Sequence, residues 1–487
     1  MLDSHLAGPE YRGHIKNEVG HPQLRVDRAL LHRFRTGMRS DPNTADRLVL
    51  VLLSLVGLRF ANWLGLSARI PGRAAFVANV ALQVLSFAVF VFLIAQSCRT
   101  TLPHWLRVHR PGRLLIVSPM VVVALFLLVS SSIVHSLASG DLLIDDANAM
   151  AVCGAQSIAA GHDPYRVSEI NCLKHLGLSP ALSTPLRVGP LAKVPIYPTP
   201  TQIRAAIATA GARGGASSVF SGLAKPPLDP VTMVPVASAS PVVRALWTLG
   251  AMLVLAIAVG VAAGSLWPAA LTVVLGTYFI PGSALNFASF GNAESVAYVL
   301  MALSVLWIRR PLISGICLGL AMGSNELAIF LFPAYLLMSL EAPGQARRLL
   351  GLGLALLLGV GPWLVRYPDA IPTVWRYLTA PTFPLGYGPV ELVLGGVVKA
   401  PPAVVFFAAT ALALLLILLW GWRWSLWRIS ASVLFFAAFW LSWRSLDEYM
   451  AQIPLLALAA ILALLHPTVS PDSSPPIQAR NRTAHRR

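Results

Sequence analysis

Apolar residues run along this chain in long blocks, separated by short polar stretches rich in Arg, Gly and Pro. Blocks near residues 48–66, 74–97, 114–138, 245–264, 349–365, 403–420 and 449–465 meet or approach the roughly 20 apolar residues of a membrane-crossing helix. Three shorter blocks, near 266–281, 293–308 and 429–443, need tilting or neighbours to complete a crossing. The block 312–340 is too long for one simple span, and Gly323-Ser324-Asn325-Glu326 interrupts its middle. That pattern predicts two short half-helices meeting at a polar elbow. With this block crossing twice, the chain is expected to be an all-α polytopic membrane helix bundle of about 12 transmembrane helices.

Residues 139–244 are the exception to the short polar stretches, and they predict one long extracytoplasmic loop containing amphipathic helices. Within it, Asp145-Asp146 open an Ala-rich run, a composition that favours helix. Gly161 is expected to end that helix in left-handed geometry, and Pro164 prevents its continuation. The chain divides into a mostly disordered cytoplasmic region 1–47, two added transmembrane helices with a basic inner loop 48–113, a main transmembrane region 114–465, and a disordered basic cytoplasmic tail 466–487. No internal repeat is visible.

Composition agrees with the pattern. The chain is 56% hydrophobic and 12% charged, against about 25% charged in soluble domains, and its mean hydropathy is +0.69. A soluble globular protein is thereby excluded. The net charge of +17 invites a nucleic-acid reading, but the basic residues are scattered in short groups between apolar blocks. They read as topology determinants and contacts to anionic headgroups, so no nucleic-acid partner is expected. Arg107, Arg110, Arg113, Arg309, Arg310, Arg347, Arg348, Arg423 and Arg428 collect on one side, which places both termini in the cytoplasm of a plasma-membrane protein. The first 47 residues lack the apolar core of a cleavable signal. Cys153 and Cys172 both fall in the long loop; a disulfide in an oxidising compartment and two free small residues are equally open readings.

Candidate chemistry starts with Asp141, Asp145 and Asp146 at the mouth of the third block. A bilayer does not solvate an ionised carboxylate, so such groups sit at a wet rim or line a working cavity. Helix capping is the plain alternative for Asp145 and Asp146. Two further groups lie within apolar surroundings: Asn292 with Glu294 at the start of a short span, and Asn325 with Glu326 at the elbow. Ionisable residues at broken helices are functional candidates by default; protonation of Glu326, or its pairing with an outer-side arginine, is the structural alternative. Arg366, Arg376 and Arg444 fall at expected outer span ends, where headgroup snorkelling competes with phosphate binding. Tyr165 and Tyr197 are candidates to shape a sugar or lipid cleft.

The order of these motifs resembles a known family. Carboxylate, Ala-rich helix and Gly161-His162-Asp163-Pro164-Tyr165 after a span look like the GT-C superfamily of polyprenol-phosphate-sugar-dependent glycosyltransferases. The nearest resemblance is to bacterial alpha-mannosyltransferase-like integral membrane proteins of the phosphatidylinositol mannoside type. Lys225-Pro226-Pro227-Leu228, Gly291-Asn292-Ala293-Glu294, Gly315–Gly323 followed by Asn325 and Pro333, and Trp443-Arg444 with Tyr449 and Pro454 match further elements in order. Two departures stand out: Asn325 occupies a position where the family often has Lys, and Lys225 one where it has Tyr.

The resemblance implies an inverting glycosyltransferase that moves a mannose-like hexose or a pentose from a polyprenyl-phosphate donor to a lipid or glycan acceptor. Asp146, or Asp145, would be the general base, with Asp141 third; Arg444, Arg366 and Arg376 would hold the donor phosphate. No cofactor and no obligatory metal are implied, although Asp145-Asp146 offer ligands for one. A multi-pass transporter or lipid flippase, or a non-catalytic relative of the same fold, remains the alternative, because fold analogy does not fix function.

Overall fold

The structure is a computed structural model that describes residues 73–97, 146–178, 199, 201–202, 204–205, 223, 225–263, 291–340, 342–379, 385–386, 388–399, 403–423, 438–442, 444–445, 452–453, 455–460 and 463. Among them the architecture is helical. In chain order the helices are α1 (Arg73–Ser97), α2 (Asp146–Ala159), α3 (Ile170–His175), α4 (Leu228–Met233), α5 (Pro241–Ala263), α6 (Glu294–Leu306), α7 (Pro311–Ser324), α8 (Leu327–Ser339) and α9 (Gln345–Leu354). They continue with α10 (Gly361–Arg366), α11 (Ala370–Thr379), α12 (Val390–Leu394) and α13 (Ala403–Arg423). One parallel pair, Leu385–Gly386 with Arg444–Ser445, is the only extended pairing among the described residues.

Two of the described helical stretches are long and apolar enough to cross a membrane, Pro241–Val259 and Gln345–Arg366. Five more, including Glu294–Leu306, Pro311–Ser324 and Leu327–Ser339, are apolar but shorter. The described residues therefore do not carry the count of twelve.

The elbow expected within 312–340 is such a break. Helix α7 stops at Ser324, Asn325 turns extended, and α8 starts at Leu327. Asn325 Oδ1 accepts the Leu327 N–H at 2.8 Å, supplying a partner for a first-turn donor that has none within the helix.

Close backbone packing sets the bundle's geometry. Gly315, Gly319 and Gly323 lie four residues apart and so share one face of α7. They let α7 approach α9 and its continuation; a Cβ on Gly319 would sit 2.7 Å from the Ala355 Cβ. Small residues at this spacing are the usual means of bringing apolar helices together. Between α9 and α10 the chain widens into a π turn, Ala355–Val360. That turn ends just before Pro362, whose ring would collide with the carbonyl of an ordinary α-helix four residues earlier.

Arg348 departs from the expectation of a headgroup-facing charge. It is 1% exposed. Its guanidinium donates to the carbonyls of Ile308 (2.6 Å), Pro343 (3.2 Å) and Ser339 (3.3 Å). It thus satisfies chain ends just beyond α6 and at the close of α8, groups that a helix leaves without partners.

The loop segment packs beside this bundle. Helix α2 ends as expected: His162 N–H donates to Ser157 O and Gly161 N–H to Ile158 O, with Gly161 at φ +79°. That is a Schellman closure, which a Cβ would strain. Helices α2 and α4 pack together around Ala151, Val152, Met233 and Val236.

Candidate functional site: a buried lysine between two glutamates

Local sequence fixes each component. Lys225 precedes Pro226-Pro227, and a residue before proline is driven out of the helical region; α4 starts only after Pro227. The lysine is therefore presented from a rigid entry to α4. Glu294 opens α6, where a carboxylate suits the helix dipole. Asn292 Oδ1 accepts the Glu294 N–H at 2.9 Å and holds that first turn in place. Gly291, at φ +76°, turns the chain into α6; a Cβ there would sit 3.2 Å from the Arg244 Cβ. Glu326 is the last residue before α8.

These segments, far apart in the chain, meet through Lys225. Its Nζ donates to Glu294 Oε1 and, at 3.1 Å, to Glu326 Oε1. The side chains are nearly sealed from solvent, at 11%, 2% and 10% exposure respectively. Tyr298, one turn after Glu294 on the same helix face, donates its hydroxyl to Glu294 Oε2 at 2.6 Å. Both oxygens of Glu294 are thus engaged. Glu326 Oε2 has no hydrogen-bond partner among the described residues, and neither has the adjacent Asn325 Nδ2. An unmet acceptor and an unmet donor on consecutive residues at a helix break are the two roles that a hydroxyl group fills, since it both accepts and donates.

With one ammonium against two carboxylates, the group carries a formal charge of −1 when all three are ionised. It attracts a proton or a cation and repels phosphate. Lys225 is accordingly engaged as a bridge between two acids; Glu326 pairs with this lysine and not with an outer-side arginine, the pairing its structural alternative named.

Tyr165 joins the buried group to the loop. Its hydroxyl donates to the carbonyl of Lys225 at 2.9 Å. Burial, then the charges of Asp229 and Asp163, push the phenol well above its usual range, so it stays a donor. Asp163 Oδ1 accepts the Tyr165 N–H at 2.9 Å. The neighbouring Arg166 pairs with Asp369 at 2.6 Å, tying this turn to the chain after α10. The Tyr165 ring lies 6.2 Å from Tyr367, which stacks on Trp363 at 6.2 Å. Arg366, exposed at the end of α10, lies over Tyr367 at 5.4 Å. An arginine above an aromatic ladder, at the end of an apolar helix, has the makings of an anionic headgroup contact.

Of the residues singled out by sequence, Asn292, Glu294, Asn325, Glu326 and Tyr165 converge on Lys225, and Arg366 stands beside Tyr165 through Tyr367. Asp146 begins α2, which packs along α4, the helix entered from Lys225. Asp141, Asp145 and Tyr197 lie outside the described residues. Arg376 falls on α11, and Arg444 pairs through its backbone with Leu385. Sequence reasoning passed over Tyr298 and the bridging role of Lys225. The four-residue spacing of Glu294 and Tyr298 was the available signal for the first; nothing local marks the second.

The loop cysteines resolve as a bonded pair, Cys153–Cys172, that fastens α2 to α3. Compared with protein-family models, curated proteins and solved structures, the chain matches none.

Proposed function

We propose that the protein is an integral membrane glycosyltransferase that moves a sugar from a polyprenyl-phosphate donor to a lipid or glycan acceptor. One observation carries this reading. The chain Tyr165–Lys225–Glu294/Glu326 joins the segments 161–165, 225–228, 291–294 and 315–325, the same segments that resemble GT-C elements in order. In this reading the chain is a plasma-membrane protein of about twelve spans with both termini cytoplasmic.

The acceptor oxygen attacks the anomeric carbon while the bond to the lipid phosphate breaks on the opposite face, inverting the centre. Asp146, with Asp145 and Asp141 as the neighbouring choices, takes the acceptor proton. The phosphate leaves with the bonding electrons and needs no proton, so cations suffice to stabilise it. Arg366 is suited to that task by its exposure beside Trp363 and Tyr367, with Arg444 and Arg376 as further cations. The Lys225 group, being net acidic, holds the loop and the elbow in register and offers Glu326 Oε2 and Asn325 Nδ2 to a hydroxyl.

The test is transfer from a radiolabelled polyprenyl-phosphate sugar by purified protein. Asp146→Asn, or Asp145→Asn, abolishes turnover while donor binding survives. Full activity in both variants, and in Asp141→Asn, would remove the reading. A second reading, a proton- or cation-coupled transporter, is favoured by the buried carboxylates at the α7–α8 break. Movement of the donor across proteoliposomes without transfer would select it.

A further inference from the structure

Glu169 is a buried carboxyl that the proposed reaction does not use. It is 2% exposed and immediately precedes α3. Its one side-chain hydrogen bond among the described residues is a long one, 3.4 Å from the Ser157 hydroxyl. Cys153 Sγ, Cys172 Sγ and a Glu169 carboxylate oxygen all lie within 4.8 Å of one another. Cys153 is 1% exposed, whereas Cys172 is partly exposed.

A carboxyl buried with a single weak donor is costly. A purely structural disulfide gains nothing from such a neighbour, whereas an exchanging one does. When an S–S bond opens in apolar surroundings, the departing thiolate is poorly solvated, and a proton delivered to it assists its departure. A Glu169 carboxylate oxygen lies within 4.8 Å of both sulfurs, near enough to supply that proton after a small movement. Burial raises its carboxyl to about 8, against a small lowering by Ser157. The titratable groups on the surrounding elements are Lys174 and His175 on α3, Asp146, His162, Asp163, Tyr165 and Arg166 on and after α2, and Asp229 on α4. None of them forms an ion pair with Glu169.

We propose that Cys153–Cys172 is a thiol–disulfide exchange site for dithiol reductants, with Glu169 as proton donor to the departing Cys153 sulfur. A thiolate of the dithiol attacks Sγ of the partly exposed Cys172 and forms a mixed disulfide. The S–S electron pair leaves on Cys153 Sγ, which takes the Glu169 proton. The dithiol's second thiolate then closes its own disulfide and releases Cys172, which is protonated from solvent. Two electrons pass from dithiol to cystine, and the dithiol is oxidised.

The full-length protein in detergent micelles is reduced with dithiothreitol, quenched with an alkylating agent and read by peptide mass spectrometry at Cys153 and Cys172. Rates are divided by the thiolate concentration of the reagent. The normalised wild-type rate falls about tenfold between about pH 6.5 and about pH 9.5, as Glu169 loses its proton. Glu169→Gln is slow at the acidic end by the same factor and flat across the range, and Glu169→Asp restores the slope. A flat wild-type profile, parallel slopes in wild type and Glu169→Gln, or resistance of the pair to native-state reduction each overturns the proposal. Should Glu169→Gln not fold, the wild-type profile alone decides.

Discussion

The Tyr165 hydroxyl donates to the carbonyl of Lys225, 60 residues away in sequence, at 2.9 Å. This bond fixes the backbone of the lysine that bridges Glu294 and Glu326. It makes the position of the buried acid pair depend on the turn that follows α2.

Tyr165→Phe keeps the ring and removes a donor to a buried carbonyl. A loss of about 1–3 kcal/mol in stability is expected, read as a lowered midpoint in thermal unfolding of the detergent-solubilised protein. Sugar transfer falls further than the stability loss accounts for, because the loop and elbow lose their register.

Lys225→Met strands two carboxylates in a buried site. Breaking such a pair from one side costs about 3–5 kcal/mol. Adding Glu294→Gln and Glu326→Gln restores part of the loss, and a mutant cycle over these positions returns a coupling well outside additivity.

Gly319→Val places a branched side chain where a lone Cβ already meets Ala355 at 2.7 Å. Overpacking of this kind costs about 1–3 kcal/mol or more. Expression of monodisperse protein and its melting temperature both fall, whereas the same change at Gly353, whose Cβ would meet nothing within 4 Å, leaves them nearly unchanged.

Glu169 gives the fold a pH dependence of known sign. Its carboxyl is raised from 4.5 to about 8 by burial. Across that interval the native chain keeps a proton that the unfolded chain has lost, so stability falls as pH rises from about 4.5 to about 8. Below the interval the contribution is fully present; above it, the contribution is gone. The total is on the order of 5 kcal/mol at most. Unfolding midpoints measured at mildly acidic and mildly basic pH differ in wild type, and Glu169→Gln reduces that difference.

Much of the local structure was legible because it depends on neighbours in sequence. Gly161 ends α2, Asn325 divides α7 from α8, and Asp146 opens a helix, all from short-range chemistry that a sequence displays. Arg348 was misread for the opposite reason. An Arg-Arg pair beside an apolar block looks like a headgroup contact, and only the positions of the Ile308, Ser339 and Pro343 carbonyls turn it inward.

The sequence alone determined that this is a helical chain of apolar blocks, where those blocks break, and which polar residues stand at the breaks. Periodicity and capping operate over a few residues, so they can be read without a fold. Tertiary structure decided which breaks share a site: Lys225 with Glu294 and Glu326, Tyr165 with Lys225, Cys153 with Cys172 and Glu169. Those pairings follow from the glycine face of α7 and the packing of α2 on α4, contacts between segments whose separation along the chain carries no record of their meeting in space.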